Sequence, residues 1–442
     1  MPPITLLICV AFLGAELRAG YACIDRRGAL PAGDRPTLRA RPMMFAFLFS
    51  WALPLSFLPL YAATLPARFV DLPQNWIMAV PISAEMLFAF LAAVLSGSLA
   101  DRRGWRVPVR IGLYISAIAA VLSAVAESFE WLVLARAATG FGYGLTWVGI
   151  QGLVVRESRP ETLTFGVANL TAGIFSGHLL GAVVGGWIAD VADYRTVFLV
   201  SAVSIGAPAL YLATVMRGRH QGAQLAAADL RPGRVLALLS NRNFVVLLLG
   251  SVIPFSIAQV GLLYYAAPVL LRAEGFSRAE IGQVIALYSG TLVFVAPFAA
   301  RLIDRRPNKK IFIVVGGLLG SAALLCLFVA TDAQAVIAAT LALGLASCVG
   351  GAANSSYALQ FEDIRRLGVA SATGVQRAAD KLGQMLGPLT VSALFGVAGL
   401  AEAVAITGGV YLVATMVFLV VAGRPGRRGE ERHMPGGDAV QA

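Results

Sequence analysis

Several ionisable side chains of this 442-residue chain stand inside long apolar runs, where a charge is costly and marks a candidate functional position. Glu85 lies 16 residues before Asp101, ~24 Å along a helix from the loop that holds that aspartate. Arg136 lies about two turns into its own run from the opposite end, so the two are expected at similar depth on neighbouring helices. Burial disfavours the charged form of a carboxylate and a nearby guanidinium favours it, a balance that lets Glu85 carry a proton. The plainer alternative is that Glu85 only neutralises a structural arginine. His178 belongs to a residue type that titrates near physiological pH and is a third proton-coupling candidate, although its glycine-rich run equally suits an ordinary hydrogen bond between helices.

Arg377, Asp380 and Lys381 form a second group. Arg377 and Asp380 are three apart and share a helix face, and one acid between two bases leaves a net positive patch. The group reads either as an ion cluster satisfied within itself near one end of its helix or as a contact for an anionic group of a bound small molecule. Tyr143, Trp147, Gln151 and Asn354 are polar or aromatic candidates for lining a cavity, or else they face a neighbouring helix. Cys9, Cys23, Cys326 and Cys348 lack CxxC or zinc-ligand spacing and read as small packing residues, so no metal is expected. No GxxxxGK[ST] loop is present, and the run Gly140-Phe-Gly-Tyr-Gly144 lies within an apolar stretch rather than a phosphate-binding loop. Neither a cofactor nor an enzymatic activity is expected.

The elements that must position these side chains follow from composition. The chain is 58% apolar and 13% charged, with a mean hydropathy of +0.76. An apolar stretch of ~20 residues crosses the hydrocarbon layer as a helix. Twelve such runs are predicted, near 43–65, 77–100, 107–126, 130–154, 164–189, 195–216, 242–271, 280–303, 311–330, 333–358, 370–396 and 400–422. Backbone polar groups inside lipid must pair within their own segment, so each run is read as a helix. The fold expected is all-α, polytopic and built from twelve transmembrane helices.

Charge orients these helices. With the N-terminal segment, the C-terminal tail and every even-numbered loop on one side, 27 of the 35 Lys and Arg residues lie there and only Arg68, Arg195, Arg272 and Arg278 lie opposite. Such asymmetry places both ends of the twelve-helix core in the cytoplasm. The net charge of +11 then faces anionic lipid headgroups, and nucleic acid is excluded as its partner. The longest internal connection, 217–241, divides the core into six-helix halves at 43–216 and 242–422, and its stretch Gly233–Leu239 is apolar enough to lie on the membrane surface.

An internal repeat supports that division. Gly97-Ser-Leu-Ala-Asp101-Arg-Arg-Gly104 follows the second run, and Ala300-Arg-Leu-Ile-Asp304-Arg-Arg-Pro307 follows the eighth at an offset of 203. Gly177-His-Leu-Leu-Gly181-Ala182 in the fifth run and Gly383-Gln-Met-Leu-Gly387-Pro388 in the eleventh are offset by 206. Paired halves of this kind are a transporter design, with the substrate site between them. Residues 1–42 stand outside the core: the apolar stretch 4–15, interrupted by Glu16 and Arg18, reads as the tail of a helix in a longer chain or as an interfacial segment, followed by a cytoplasmic linker. The stretch 423–442 reads as a cytoplasmic tail.

The loop sequence Gly97-x-x-x-Asp101-Arg102-x-Gly104-x-Arg106 has the makings of a cytoplasmic latch. Gly97 permits close helix approach, Gly104 a sharp turn, Asp101 a contact with a helix N-terminus, and the arginines pairing with acids on adjacent helix ends. This motif, its weaker copy at 300–309 and the two six-helix halves resemble the major facilitator superfamily over residues 43–422. Arg136 with Gly140, Gly142 and Gly144 is similar to that family's fourth-helix signature, whose arginine is tied to proton coupling in proton-driven members. Gly177, Gly181, Gly185 and Gly186 resemble its antiporter signature, with Ala182 where that signature has proline; Gly387-Pro388 carries the pair in the eleventh run. The stretch from Trp187 to Phe198, with Asp190 and Arg195, is also family-like. The glycines are expected to serve close packing, including packing between halves that rock as bodies.

The resemblance implies a monomeric secondary transporter in the inner membrane that exports a small organic molecule in exchange for protons. Import or facilitated passage of an organic anion is the alternative that Arg136, Arg377 and Lys381 suggest. A second alternative, suggested by the unusual N-terminal segment, is the membrane module of a sensor that keeps the transporter fold.

Overall fold

The computed structural model describes residues 35–157, 163–216 and 232–423. The apolar stretch 4–15 with Glu16 and Arg18, Cys9 and Cys23, most of the central connection and the tail after 423 lie outside the described residues, as does the side chain of Asp101. Among the described residues the chain is helical and contains no strand.

Helical segments, some of them interrupted, lie along each of the predicted runs. They are α1 (35–62), α2 (Gln74–Arg103), α3 (Arg106–Ala124), α4 (Phe129–Glu157), α5 (Leu163–Val191), α6 (Tyr194–Thr214), α7 (Arg242–Ala273), α8 (Arg278–Asp304), α9 (Lys309–Phe328), α10 (Ala333–Ala358), α11 (Val369–Phe395) and α12 (Leu400–Val421). Among the described residues nine helices are long and apolar enough to cross a membrane: all but α1, α4 and α11. Those three fall short for identifiable reasons. Pro54 and Pro59 break α1 into Arg35–Ala52, a tight turn at Leu53–Ser56, and Leu58–Ala62, because proline lacks an amide donor. Arg136 and Gln151 interrupt α4, and Arg377, Asp380 and Lys381 interrupt α11. Large apolar side chains stand exposed around the molecule, among them Ile118, Leu210, Phe298 and Val420, a surface that suits lipid and not water.

The first helix begins earlier than its predicted start at 43. Arg39 and Arg41 are already helical: Arg39 Nη1 donates to the Val215 carbonyl at 3.3 Å and Arg41 Nη1 to Asn169 Oδ1 at 3.4 Å. Long cationic side chains of this kind reach polar groups at a helix end while their stems stay apolar, so charge alone did not mark the boundary. The stretch after the central connection is a short helix, Pro232–Leu239. Leu238 is buried and Leu236 exposed, and the helix docks on Glu362–Leu367 and on α11.

Most helix contacts lie within the first six helices or within the last six, two groups called bundles below. In the first, α4 lies against α2 and α3 and α1 against α5; in the second, α7 lies against α11 and α9 against α10 and α12. The bundles meet along α5 with α8 and α2 with α11. The glycine repeat has a repeated structural role. A methyl group built on Gly177, Gly181 or Gly185 would strike the α1 carbonyls of Phe45, Phe49 or Leu53, and one on Gly383 or Gly387 would strike the α7 carbonyls of Ile253 or Ile257. These glycines therefore seat helices of one bundle, which corrects the expectation that they pack the bundles together. Gly186, against Arg278, and Gly282, against Ala182, make the close approach between bundles, so Ala182 stands at a bundle interface. Pro388 lies inside α11 one residue after Gly387.

Candidate functional site

Glu85 and Arg136 meet as the helical rise requires. Arg136 Nη1 is 3.7 Å from Glu85 Oε2, and both side chains are 3% exposed. The approach is possible because Gly140 and Gly144 let α4 lie directly on the α2 carbonyls of Glu85 and Ala89, while Gly142 meets Gly112 and Ser116 of α3. Arg136 also donates to Thr139 Oγ1, and its guanidinium lies over the Phe198 ring at 5.5 Å. The second partner of the carboxylate was not legible in the sequence: Trp51 of α1 donates its indole N–H to Glu85 Oε1.

Trp51 links the carboxylate to the rest of the interior. Its ring stacks on His178 at 5.2 Å and packs against Tyr143 at 4.9 Å and Tyr264 at 6.3 Å. His178 Nε2 is 3.3 Å from Tyr264 Oη and its Nδ1 is 3.4 Å from Ser289 Oγ, so the histidine joins α5 to α7 and α8. Tyr264 lies in a stretch of α7, Gly261–Ala266, that widens to π-type turns just before Pro268, a geometry that redirects side chains and recurs at functional sites.

The charged group on α11 differs from its expected form. Counting from Val369, Arg377 lies ~12 Å and Lys381 ~18 Å into the helix, so the group sits deep rather than near a helix end. Among the described residues, no nitrogen of Arg377 or Lys381 comes within ion-pair distance of Asp380. Asp380 Oδ1 instead accepts from Ser256 Oγ, and Oδ2 accepts from Gln384 Nε2 at 3.1 Å. Lys381 Nζ donates to Gln384 Oε1 at 2.8 Å and stands 4.9 Å from the centre of the Tyr143 ring. With the Gln151 amide turned so that its oxygen faces donors, that oxygen accepts from Trp147 Nε1 at 3.0 Å and Arg377 Nη1 at 3.1 Å. Spacing along one helix made an ion cluster plausible; neutral groups win instead, Gln384 on the same helix and Ser256 and Gln151 on facing ones, because they reach the charged atoms directly.

Tyr143, Trp147, Gln151, Arg377 and Lys381 thus form one wall between α4 and α11. Arg377 is exposed despite its depth and Trp147, Gln151 and Lys381 are half-buried, so open space lies beside them on the side of the chain ends. Asn354 does not belong to this wall: it is buried and accepts from Ser251 Oγ at 3.0 Å, joining α10 to α7. An apolar cavity of about 580 Å³ between α8, α9 and α10, lined by Leu302, Ile303, Ile311, Phe312 and Val349, lies apart from these polar groups.

The end opposite the chain ends is tied shut across the bundles. Asp190, at the close of α5, accepts from the backbone N–H groups of Arg278 at 3.0 Å and Ala279 at 2.8 Å, the first residues of α8. Arg278 donates through Nη1 to the Ala189 carbonyl at 2.7 Å and through Nε to Tyr194 Oη at 3.0 Å. Asn75 of α2 donates to the Ser392 carbonyl of α11 at 2.7 Å, and Tyr265 donates to the Asn75 carbonyl at 3.0 Å.

At the other end, the described side chains of the predicted latch are those of Arg102 and Arg106, with Gly97 and Gly104 in the backbone around them. Gly104 has φ +83°, which a side chain would strain, so its turn role holds. Gly97 has nothing within 4 Å of the place a methyl group would occupy, so no helix approaches it closely in this arrangement. Arg102 is exposed, and Arg106 bonds to the Met216 carbonyl at the end of the first bundle.

The model of the Major Facilitator Superfamily matches residues 41–277 and 255–438. The 3-(3-hydroxy-phenyl)propionate transporter of Escherichia coli (strain K12) is 27% identical over 358 residues, 79% of this chain and 85% of that protein. The quinolone resistance protein NorA of Staphylococcus aureus (strain COL) is 23% identical over 360 residues, 80% of this chain and 88% of that protein. In fold the chain is similar to a POT family transporter solved in complex with a thioalcohol-conjugated peptide, with a TM-score of 0.71 over 87% of this chain and 96% of that one at 14% identity.

Proposed function

The chain belongs to the major facilitator superfamily and is a multi-pass membrane transporter of small molecules, and from that membership we propose that it exports a small organic molecule in exchange for protons by alternating access. The moving bodies are residues 43–216 and 242–422, rocking as a monomer about the substrate site between them. Both ends of the core are cytoplasmic, by the distribution of Lys and Arg, and the membrane is the inner one.

The observation that carries the reading is the Glu85 carboxylate, buried against Arg136 and Trp51 and joined through Trp51 to the ring of His178. A carboxylate held between a desolvating pocket and a guanidinium changes its protonation when either neighbour moves. The contacts at Asp190, Arg278 and Asn75 close the far end while Arg377 stays exposed, which suits a state open towards the chain ends. Rocking the bundles would break that closure and draw Tyr264 of α7 away from Trp51, so the motion reaches Glu85 through its indole donor.

The test is flux of a compound panel in proteoliposomes with an imposed pH gradient, for wild type and Glu85→Gln. The expected result is gradient-driven flux in wild type and, in the variant, loss of the driven component with gradient-free exchange retained. Full gradient-driven flux in Glu85→Gln overturns the proton role.

Import or facilitated passage of an organic anion is the second reading. It is favoured by Arg377 and Lys381, which meet no carboxylate at ion-pair distance among the described residues, and by the relative named for a phenylpropionate. Vesicles of defined orientation decide the direction of net flux.

A further inference from the structure

We infer that the wall between α4 and α11 is a subsite for an aromatic monocarboxylate, with Lys381 and Arg377 receiving the carboxylate and Trp147 the ring. The inference rests on the transporter reading above and specifies the substrate class of that same site.

Charge balance leads to it. The ionisable groups that face the interior from the packed helices are Glu85 of α2, Arg136 of α4, His178 of α5, and Arg377, Asp380 and Lys381 of α11. Glu85 and Arg136 offset each other at 3.7 Å. Of the α11 group, Asp380 spends both oxygens on Ser256 and Gln384, and among the described residues the hydrogen-bond acceptors of the two cations are the neutral oxygens of Gln151 and Gln384. One acid and two bases leave a single positive charge over. A surplus positive charge at this depth favours a bound anion, and a monoanion completes neutrality where a dianion would overshoot it.

The geometry then selects the shape. Tyr143 and Trp147 stack at 5.4 Å, and Lys381 stands over Tyr143, so a cation already borders an aromatic face. Arg377 lies beside Trp147 through their shared acceptor Gln151. Tyr143 is buried while Trp147 and Gln151 are half-buried, so the Trp147 indole is the aromatic surface left for a flat ligand. A ring laid on that indole with a short side chain towards α11 brings its carboxylate to Lys381 and Arg377, whose present partners are exchangeable amides. A cationic amphiphile of the same shape would meet two like charges, and a neutral one would leave the surplus charge uncompensated.

The test is a binding measurement, independent of any gradient, on the purified full chain at neutral pH by calorimetry. The probes are 3-phenylpropionate, the isosteric 3-phenylpropanamide and 3-phenylpropylammonium. The carboxylate is expected to bind at least tenfold more tightly than the amide, with the ammonium weakest. Lys381→Gln should remove most of that preference with amide binding unchanged, and Lys381→Arg should restore it, which a merely structural lysine would not do. Equal binding of amide and carboxylate, tighter binding of the ammonium, or no binding of any probe overturns the inference. Gradient-driven flux of unrelated compounds in a protein that fails this test leaves the transporter reading standing, and carboxylate binding without driven flux does the reverse.

Discussion

Asp190 and Arg278 meet twice, once through backbone and once through side chain. The Asp190 carboxylate caps the first amides of α8, and the Arg278 guanidinium stands 3.9 Å from the same carboxylate while bonding to Ala189 and Tyr194. An anion at a helix N-terminus gains from both the free amides and the helix dipole, about 1 kcal/mol in a partly exposed setting. Because α5 and α8 belong to different bundles, that gain exists only while the far end is closed.

Neutralising Asp190 should therefore open the far end. Asp190→Asn is expected to shift the equilibrium about fivefold towards the state in which α5 and α8 separate, as ~1 kcal/mol of closure is lost. Spin labels at the exposed positions Val191 and Val397, one in each bundle, would report this as a longer-distance population by electron–electron resonance. An unchanged distance distribution would show that Asp190 caps α8 without gating.

Glu85 and Arg136 should behave as one thermodynamic unit. Removing one member of a buried ion pair leaves an uncompensated charge and costs ~3–5 kcal/mol. Glu85→Gln and Arg136→Gln are each expected to destabilise the purified protein towards the low end of that range, because Trp51 and Thr139 still supply polar contacts. The double variant should lose less than the sum of the two. Additive losses in a double-mutant cycle of unfolding would show that the 3.7 Å contact carries no coupling.

That pair was legible in the sequence for a physical reason. Helical rise fixes depth, so a charge in an apolar run can be assigned a level in the membrane from residue count alone. Lateral direction is not fixed in that way. The count placed Glu85 level with Arg136 but gave no sign that Trp51 faces both Glu85 and His178, since a tryptophan in an apolar run is ordinary. The polar stripe Arg377, Asp380, Lys381, Gln384 was readable at helical spacing, and Gln384 belonged in it. Its reading as an internal ion cluster failed because spacing along one helix says nothing about Gln151 and Ser256 on the facing ones. The glycines were legible as points of close approach, while the carbonyls they approach, those of α1 and α7, were not.

A loop helix end offers a pH test away from the interior. Asp193 caps α6, accepting the Thr196 amide at 2.6 Å, and that backbone bond holds its carboxyl below the usual carboxylate range. A lowered folded-state value means stabilisation that is present above the unfolded value and is lost as pH falls through the folded one. Hydrogen exchange at the start of α6 should rise on acidification below the ordinary carboxylate range, after correction for intrinsic rates. Asp193→Ala should remove the pH dependence and cost ~0.5 kcal/mol, the low end for a cap because the group is exposed. Acid-insensitive protection in wild type would assign the start of α6 to packing of Val197 and Phe198 instead.

Gly97 separates folding from gating. In the present arrangement a methyl group there meets nothing within 4 Å, and the residue lies inside α2, so Gly97→Ala should raise thermal stability by up to ~1 kcal/mol through helix propensity. If the latch of Gly97, Asp101 and Arg102 closes when the chain-end side closes, a neighbouring helix must then approach Gly97, and the same methyl group obstructs that state. The expected result is a more stable protein with slower exchange, and a larger side chain such as Gly97→Leu should exaggerate both the obstruction and the loss of rate. A variant that is stabilised and exchanges at the wild-type rate would show that Gly97 stays uncrowded throughout the cycle, and would remove it from the latch.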